Sequence, residues 1–163
     1  MKYQEKGGEL NIMVDSDWAG EITSRRSTSG GVIMHGVHLI SHWSKMQSTI
    51  ALSSGEAELN AGVKGVSEGI GIFELIKEWN VYDNVHIKLK TDSSAAKGTI
   101  TRRGSGKIKH LTAKQLWMQE AVRTYGIDVI KIKREYNSAD LFTHQCQRTD
   151  FSEHLKRLNI IRI

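Results

Sequence analysis

The chain has a single cysteine, Cys146, and no proline among its 163 residues. One cysteine excludes an internal disulfide and any zinc site built from several thiolates. No stretch approaches the ~20 consecutive apolar residues of a membrane-spanning helix. The opening residues MKYQEKGGEL also lack the apolar core of a signal peptide. We therefore expect an intracellular protein without a membrane partner.

Charge is the more informative part of the composition. Charged residues make up 25 % and apolar residues 39 % of the chain, as in ordinary globular domains, and the net charge is +5. A positive balance favours an anionic partner such as nucleic acid. Six basic residues and no acid occur between Ser93 and Gln119, so this stretch is either a solvated face or a phosphate-binding surface. The six are Lys97, Arg102, Arg103, Lys107, Lys109 and Lys114.

Hydrophobic periodicity predicts the element order β-β-β-α-β-α-α-β-α-α. The segments ELNIMVD, SGGVIMHGV and HLISHWSK read as an antiparallel meander with a turn at Gly36. The strands NVHIKLKTD and IDVIKIKRE are each reached across a helix, and SADLFTH and DFSEHLKRLN are predicted as closing helices. The fold class is therefore α/β: a five-stranded mixed sheet, with three antiparallel strands and then two reached across helices, flanked by helices.

The first and longest helix is predicted to begin at Ser53. Ser53 and Glu56 have the S-x-x-E spacing of a capping box. Apolar residues then recur every three or four positions from Leu59 to Ile76. Glycines at 62, 65, 69 and 71 each weaken a helix by roughly 1 kcal/mol, and close packing on a sheet would explain some of them.

Four carboxylates stand where predicted elements meet. Asp15 ends the first strand, Glu58 lies one turn into the first helix, Asp92 ends the fourth strand, and Asp140 lies near the start of the helix after the fifth. If the first and fourth strands are neighbours, these like charges come together and need cations to neutralise them. Oxygen ligands suit Mg²⁺, and two such ions ~3.5–4 Å apart are used in phosphodiester hydrolysis.

Each acid also has a simpler interpretation that the residues leave open. Asp92 could cap the following helix, and Asp140 could complement a helix dipole. Asp17 fits turn chemistry better than metal binding, and Glu56 fits the capping box. The remaining histidines have no metal-ligand spacing and are interpreted as ordinary residues. They are His35, His38, His42, His86, His144 and His154.

Several stretches together resemble one known family. VDSDWAG, RRSTSGGV, ISHWSKMQSTIALSSGEAEL, KTDSSAAKG, KIKHLTAKQLW, NSADLFTH and FSEHLKRLNI follow one another over about residues 10–160. Set in this order, they resemble the ribonuclease H (RNase H) domain at the end of the polyprotein of copia-type LTR retrotransposons. The resemblance implies an RNase H-like fold over residues 1–163, with a flexible start at 1–8 and a C-terminal helix and tail at 145–163.

The resemblance also implies a function. It assigns catalysis and metal binding to Asp15, Glu58, Asp92 and Asp140, with two Mg²⁺ ions as cofactors and Mn²⁺ accepted. The expected activity is an endonuclease that hydrolyses the RNA strand of RNA–DNA hybrids during reverse transcription and leaves 5′-phosphomonoesters. The expected partners are the hybrid and a reverse transcriptase domain in the polyprotein. The isolated domain is expected to be monomeric, in the cytoplasm or within a retroelement particle.

Hybrid binding is expected to involve basic and polar residues near the acids. His110 is interpreted either as a packing residue or as a substrate-side group. Many cellular RNases H carry a mobile histidine before the last aspartate; KIKREYNSAD has none, so Arg134 or Glu135 is the candidate to take its place. The residues assigned to hybrid binding are Arg25, Arg26, Ser94, Arg102, Arg103, Lys107, Lys109 and His110.

Two other functions are compatible with the sequence. The first is a catalytically silent RNase H-like module that grips hybrid or supports a polymerase. The second is another nuclease on the same fold, such as a junction resolvase or an exonuclease. The presence of all four acids argues against the first, and the flanking motifs do not resemble families of the second kind.

Overall fold

The computed structural model of the chain describes residues 8–80, 84–103, 113–145 and 147–160. Its strands are β1 (Glu9–Asp17), β2 (Thr28–His35), β3 (His38–Met46), β4 (His86–Thr91) and β5 (Asp128–Lys131). Its α-helices are α1 (Ser54–Glu78), α2 (Ser94–Thr101), α3 (Ala113–Thr124) and α4 (Arg148–Arg157). Two 3₁₀ helices, Arg134–Tyr136 and Ser138–Phe142, lie between β5 and α4. The predicted flexible start lies outside the described residues except for Gly8.

The five strands form one sheet in the order β3-β2-β1-β4-β5. β1 runs antiparallel to β2 and parallel to β4, and β5 is parallel to β4. This confirms the predicted mixed α/β sheet and makes β1 its central strand. Because β1 and β4 are parallel neighbours, the residues that follow them emerge at the same edge of the sheet. None of the described helices is long and apolar enough to cross a membrane.

Glycine brings α1 directly onto β1. A Cβ atom at Gly65 would lie 2.4 Å from Val14 Cγ1, and one at Gly69 would lie 2.1 Å from Ile12 Cδ1. Both glycines are therefore required by close approach, as predicted. Gly71 is different, since no described atom lies within 4 Å of its missing Cβ, and nothing in the structure explains it.

The α1 N-terminus differs in one detail from the predicted capping box. Ser53 is the N-cap, and its hydroxyl accepts a hydrogen bond from the Glu56 backbone N–H at 3.2 Å. The Glu56 carboxylate, however, accepts from the backbone N–H of Leu52 at 2.8 Å, one residue before the cap. Glu56 is thus occupied at the helix start, while Glu58 is buried and lies elsewhere on the helix.

Both sheet faces carry apolar residues. Ile12 and Val14 of β1 belong to the larger core, which includes residues of α1 and α3. Met13 packs on the other face with Ala139 and Leu158. The predicted helix SADLFTH is in fact the 3₁₀ helix Ser138–Phe142. The Asn137 side chain holds the start of this helix against β1, because it donates a hydrogen bond to the Val14 carbonyl oxygen at 2.8 Å.

Candidate active site

Asp15 lies at the centre of the site, near the end of β1, with only 3 % of its surface exposed. It pairs across the sheet with Gly30 of β2. A Cβ at Gly30 would lie 2.7 Å from both the Ala139 carbonyl oxygen and Thr143 Cγ2. The absent side chain therefore lets the Ser138–Phe142 helix approach β1, and the Thr143 hydroxyl donates a hydrogen bond to Asp15 Oδ2.

Glu58 faces Asp15 from α1 and is 9 % exposed. Its Oε1 accepts hydrogen bonds from the Ser16 backbone N–H at 3.1 Å and from the Ser16 hydroxyl at 2.8 Å. Its Oε2 is buried and has no hydrogen-bond partner among the described residues. Burying a carboxylate oxygen without a hydrogen-bond partner costs free energy. The arrangement therefore indicates a ligand from outside the chain at this position.

Asp92 follows β4 directly and completes the first group of acids. It does not cap α2, because the N-cap is Ser93, whose hydroxyl accepts from the Ala96 backbone N–H at 3.1 Å. The Asp92 carboxylate is therefore not needed by the helix. One oxygen each from Asp15, Glu58 and Asp92 lie within 4.8 Å of one another.

Asp140 approaches Asp15 from the opposite side, on the 3₁₀ helix. Its Oδ1 accepts hydrogen bonds from Arg134 Nη2 at 2.9 Å and from Arg134 Nε at 3.2 Å. Arg134 thus takes a defined position beside the fourth acid, whereas Glu135 pairs with Lys133 at 3.8 Å. The structure brings the four predicted acids together, with Asp15 common to both sides.

The structure places His144 beside the acids, a position that its spacing in the sequence did not indicate. Its Nε2 lies 3.8 Å from Asp15 Oδ2 and 3.9 Å from Asp140 Oδ1, and its Nδ1 lies 3.9 Å from Asp17 Oδ1. Asp15, Asp140 and His144 form a second group of metal-capable ligand atoms within 4.8 Å. The one available signal was its position four residues after Asp140, which places both on one side of a helical turn.

Burial and repulsion among the acids shift their pKa values upward. Burial, with the nearby charge of Asp15, raises the pKa of Glu58 to about 8, although the Ser16 hydrogen bonds oppose this. Burial also raises the pKa of Asp15, against the hydrogen bond from Thr143 and with repulsion from Asp92 and Asp140. The pKa of Asp92 is raised by burial as well. A cation bound between them would reverse these costs.

The residues present fit divalent cations of the kind the acids predict. The donors are mostly carboxylate oxygens, the ligands preferred by Mg²⁺ and Mn²⁺. Two ligand groups share Asp15, and one of them includes Glu58, whose Oε2 has no hydrogen-bond partner among the described residues. The chain therefore offers two groups of ligand atoms for such cations, and Asp15 belongs to both groups.

The residues predicted to bind hybrid are only partly described. Arg25 and Arg26 are exposed in the loop between β1 and β2, and Ser94 is exposed at the start of α2, two residues after Asp92. Arg102 is half-buried and Arg103 exposed just after α2. Lys107, Lys109 and His110 lie outside the described residues.

Three curated relatives of the chain are retrovirus-related Pol polyproteins from transposons. The chain is 28 % identical over 142 residues to a retrovirus-related Pol polyprotein from transposon TNT 1-94 of Nicotiana tabacum, covering 87 % of the chain. It is 24 % identical over 164 residues to the one from transposon RE2 of Arabidopsis thaliana, covering 99 % of the chain. The chain spans only 11 % of each polyprotein. No protein-family model matches it.

Solved structures with a similar fold are RNases H. RNase H1 from the archaeon Halobacterium salinarum NRC-1 aligns with a TM-score of 0.59 and 16 % identity, over 83 % of this chain and 94 % of that one. LC11-RNase H1, isolated from compost, aligns with a TM-score of 0.61 and 17 % identity, over 83 % and 93 %. The same LC11 enzyme in complex with an RNA/DNA hybrid gives a TM-score of 0.57 at 16 % identity, over 82 % and 93 %. At these identities the likeness establishes the fold.

Proposed function

The chain matches the RNase H domain of copia-like retrotransposon Pol polyproteins, and on that premise we propose that it is an endonuclease for the RNA strand of RNA–DNA hybrids. The observation that carries the proposal is the Asp15-centred cluster with the unpartnered Glu58 Oε2. A module that only gripped hybrid would have no use for buried carboxylates that repel one another.

The proposed roles follow from the two ligand groups. Glu58 and Asp92 would hold one Mg²⁺ ion with Asp15, and Asp140 would hold the other with Asp15. Two ions held by these residues would supply activation of the attacking water and charge neutralisation at the leaving 3′ oxygen, and the products would be a 5′-phosphomonoester and a 3′-hydroxyl. We expect Mn²⁺ to be accepted, because it takes the same oxygen ligands.

The residues around the acids keep them in place for this chemistry. Ser16 fixes one oxygen of Glu58, and the other oxygen has no hydrogen-bond partner among the described residues. Thr143 fixes Asp15, and Arg134 holds Asp140 until a cation and a phosphate compete for these groups. Preorganised ligands lower the cost of ordering the site when substrate arrives.

Substrate selection is proposed to come from the RNA strand and from the shape of the hybrid. Contacts to 2′-hydroxyl groups distinguish RNA from DNA, and basic side chains follow the phosphates. The support is that the LC11 enzyme was solved with an RNA/DNA hybrid and that the relatives are Pol polyproteins. In the native polyprotein, the protein partner would be a reverse transcriptase domain. The described residues proposed to contact the hybrid are Arg25, Arg26, Ser94, Arg102 and Arg103.

The test is cleavage of labelled RNA–DNA hybrid, RNA duplex and DNA duplex by the purified chain with Mg²⁺, Mn²⁺ or EDTA. We expect cleavage of the RNA strand of the hybrid alone, no cleavage in EDTA, and 5′-phosphate ends. Asp15→Asn keeps the size of the side chain and an acceptor for Thr143 but removes a charged ligand. It should lower the rate by orders of magnitude and leave the melting temperature in EDTA unchanged or higher. A variant that cleaves at the wild-type rate would contradict the assignment.

A further inference from the structure

His144 occupies a position that the four acids alone do not explain. Its backbone N–H donates to the Asp140 carbonyl at 3.1 Å, closing a helical turn that places both side chains together. The imidazole is about one-third exposed at the rim, while the two carboxylates it faces are largely buried. Its Nε2 is nearly equidistant from Asp15 Oδ2, at 3.8 Å, and Asp140 Oδ1, at 3.9 Å.

These separations are too long for N–H···O hydrogen bonds, in which the donor and acceptor atoms lie within about 3.2 Å. They do fit atoms that share a metal ion. Around an octahedral ion with ligand distances of about 2.1 Å, adjacent ligands lie about 3 Å apart and opposite ligands about 4.2 Å. Both distances from His144 Nε2 fall between these limits, and the ligand atoms of all three residues lie within 4.8 Å of one another, so small side-chain movements would bring them to one ion.

The other ring nitrogen also has a suitable neighbour. His144 Nδ1 lies 3.9 Å from Asp17 Oδ1, within reach through a small rotation or one water. Gly20 packs against Asp17, since a Cβ there would lie 1.6 Å from Asp17 Oδ2. A carboxylate behind a histidine orients the ring and raises its basicity, and metal-binding histidines commonly have one. Asp17 therefore stands where a supporting carboxylate belongs.

We propose that His144 Nε2 is a ligand of the metal ion held by Asp15 and Asp140, with Asp17 as the carboxylate that orients the ring. An imidazole ligand favours transition-metal ions over Mg²⁺. This position of the site should consequently bind Mn²⁺ or Co²⁺ more tightly than an all-oxygen site would. The position formed with Glu58 and Asp92 lacks a nitrogen donor among the described residues and should keep the preferences of an oxygen site.

This inference rests on the proposed function only in that both require metal at Asp15, and it can be tested without substrate. Mn²⁺ alone is titrated into metal-free protein and bound ions are counted by electron paramagnetic resonance. Pulsed measurements then search for hyperfine coupling to a directly bonded imidazole nitrogen, with a second sample carrying histidine labelled with the heavy nitrogen isotope. His144→Ala is compared with His86→Ala, which removes an exposed histidine at the start of β4.

The expected result is nitrogen coupling in the wild-type chain that changes with the isotope, survives His86→Ala and is lost in His144→Ala. Loss of one ligand should weaken Mn²⁺ binding at one position by about tenfold or more, and Mg²⁺ binding by less. Mn²⁺ bound without nitrogen coupling would overturn the inference and reduce His144 to an ion-pair partner of the acids, while hybrid cleavage by the same sample would leave the proposed function intact.

The remaining outcomes are also decisive. If no Mn²⁺ binds, the inference and the metal-dependent function both fail. If Mn²⁺ binds with nitrogen coupling but the sample does not cleave hybrid, the inference stands and the proposed function fails.

Discussion

Replacing Glu58 by Gln should stabilise the metal-free protein at alkaline pH. Burial and the charge of Asp15 raise the Glu58 pKa from its ordinary value of 4.5 to about 8. Between these two values the folded chain binds more protons than the unfolded chain, so the free energy of unfolding falls as pH rises. The stabilising contribution of protonated Glu58 is fully present below pH 4.5 and is lost as pH passes through about 8.

The size of the effect follows from the same shift. Moving a pKa from 4.5 to about 8 corresponds to roughly 5 kcal/mol as an upper limit. Structural relaxation and water entry reduce this figure. We therefore expect the free energy of unfolding of Glu58→Gln to exceed that of the wild type by about 2 kcal/mol or more near pH 8 and to match it near pH 5. Gln retains an oxygen for the Ser16 hydrogen bonds and carries an uncharged amide nitrogen in place of the unpartnered Oε2.

The assay is urea denaturation in EDTA across this pH range. Glu56→Gln is the matched control, since Glu56 accepts a hydrogen bond from Leu52 at the start of α1 and is not in the acid cluster. The free energy of unfolding of Glu56→Gln should change with pH as that of the wild type does. Adding Mg²⁺ at alkaline pH should stabilise the wild type more than Glu58→Gln, because the ion neutralises the charge that the variant lacks. If Glu58→Gln lost stability with pH as steeply as the wild type, the electrostatic account of this site would be refuted.

Three further predictions concern packing and substrate binding. Gly71→Ala should raise the free energy of unfolding by up to about 1 kcal/mol in urea denaturation, because nothing opposes its methyl group, whereas Gly65→Ala should lower it; equal effects would contradict the packing of α1 on β1. Gly30→Ala should displace the 3₁₀ helix Ser138–Phe142 and lower the cleavage rate more than it lowers the affinity of the folded protein for hybrid. An unchanged cleavage rate would show that this close approach is dispensable. Neutralising Arg102 and Arg103 should reduce the slope of log affinity against log salt by roughly 0.7–0.9 per lost contact, measured by anisotropy in Ca²⁺; an unchanged slope would return this segment to a solvated face.

The central part of this site was predictable because it breaks local rules. Asp15 lies near the end of a buried strand where acids are disfavoured, and Asp92 follows another such strand. Parallel pairing of those strands then brings the two together. Glu58 could be separated from Glu56 because the latter has the spacing of a helix cap. Each of these inferences needed only local patterns and one assumption about strand order.

The rest of the site depends on geometry that local patterns do not contain. Asp140 lies on the 3₁₀ helix Ser138–Phe142, and His144 lies in the turn that follows it. From the sequence alone this segment was predicted as an ordinary helix, because the Asn137 contact with β1 that holds its start joins residues far apart in the chain. Thr143 meets Asp15 across 128 positions of sequence. Gly30 permits that meeting, yet in the sequence it looks like any glycine near a turn. Such residues are identified by what touches them, not by spacing.

The side chains of Asn137 and Thr143 join the segment around the 3₁₀ helix Ser138–Phe142 to β1 across 123 and 128 positions. Contacts this distant in sequence form slowly, because closing so long a loop costs conformational entropy. During translation, β1, α1 and β4 leave the ribosome long before Asp140 has been polymerised. A nascent chain consequently carries three of the four carboxylates without the fourth, and a stop codon or protease cut ahead of residue 137 leaves that incomplete set permanently. The full set of four carboxylates is thus present only after residue 140 has been made.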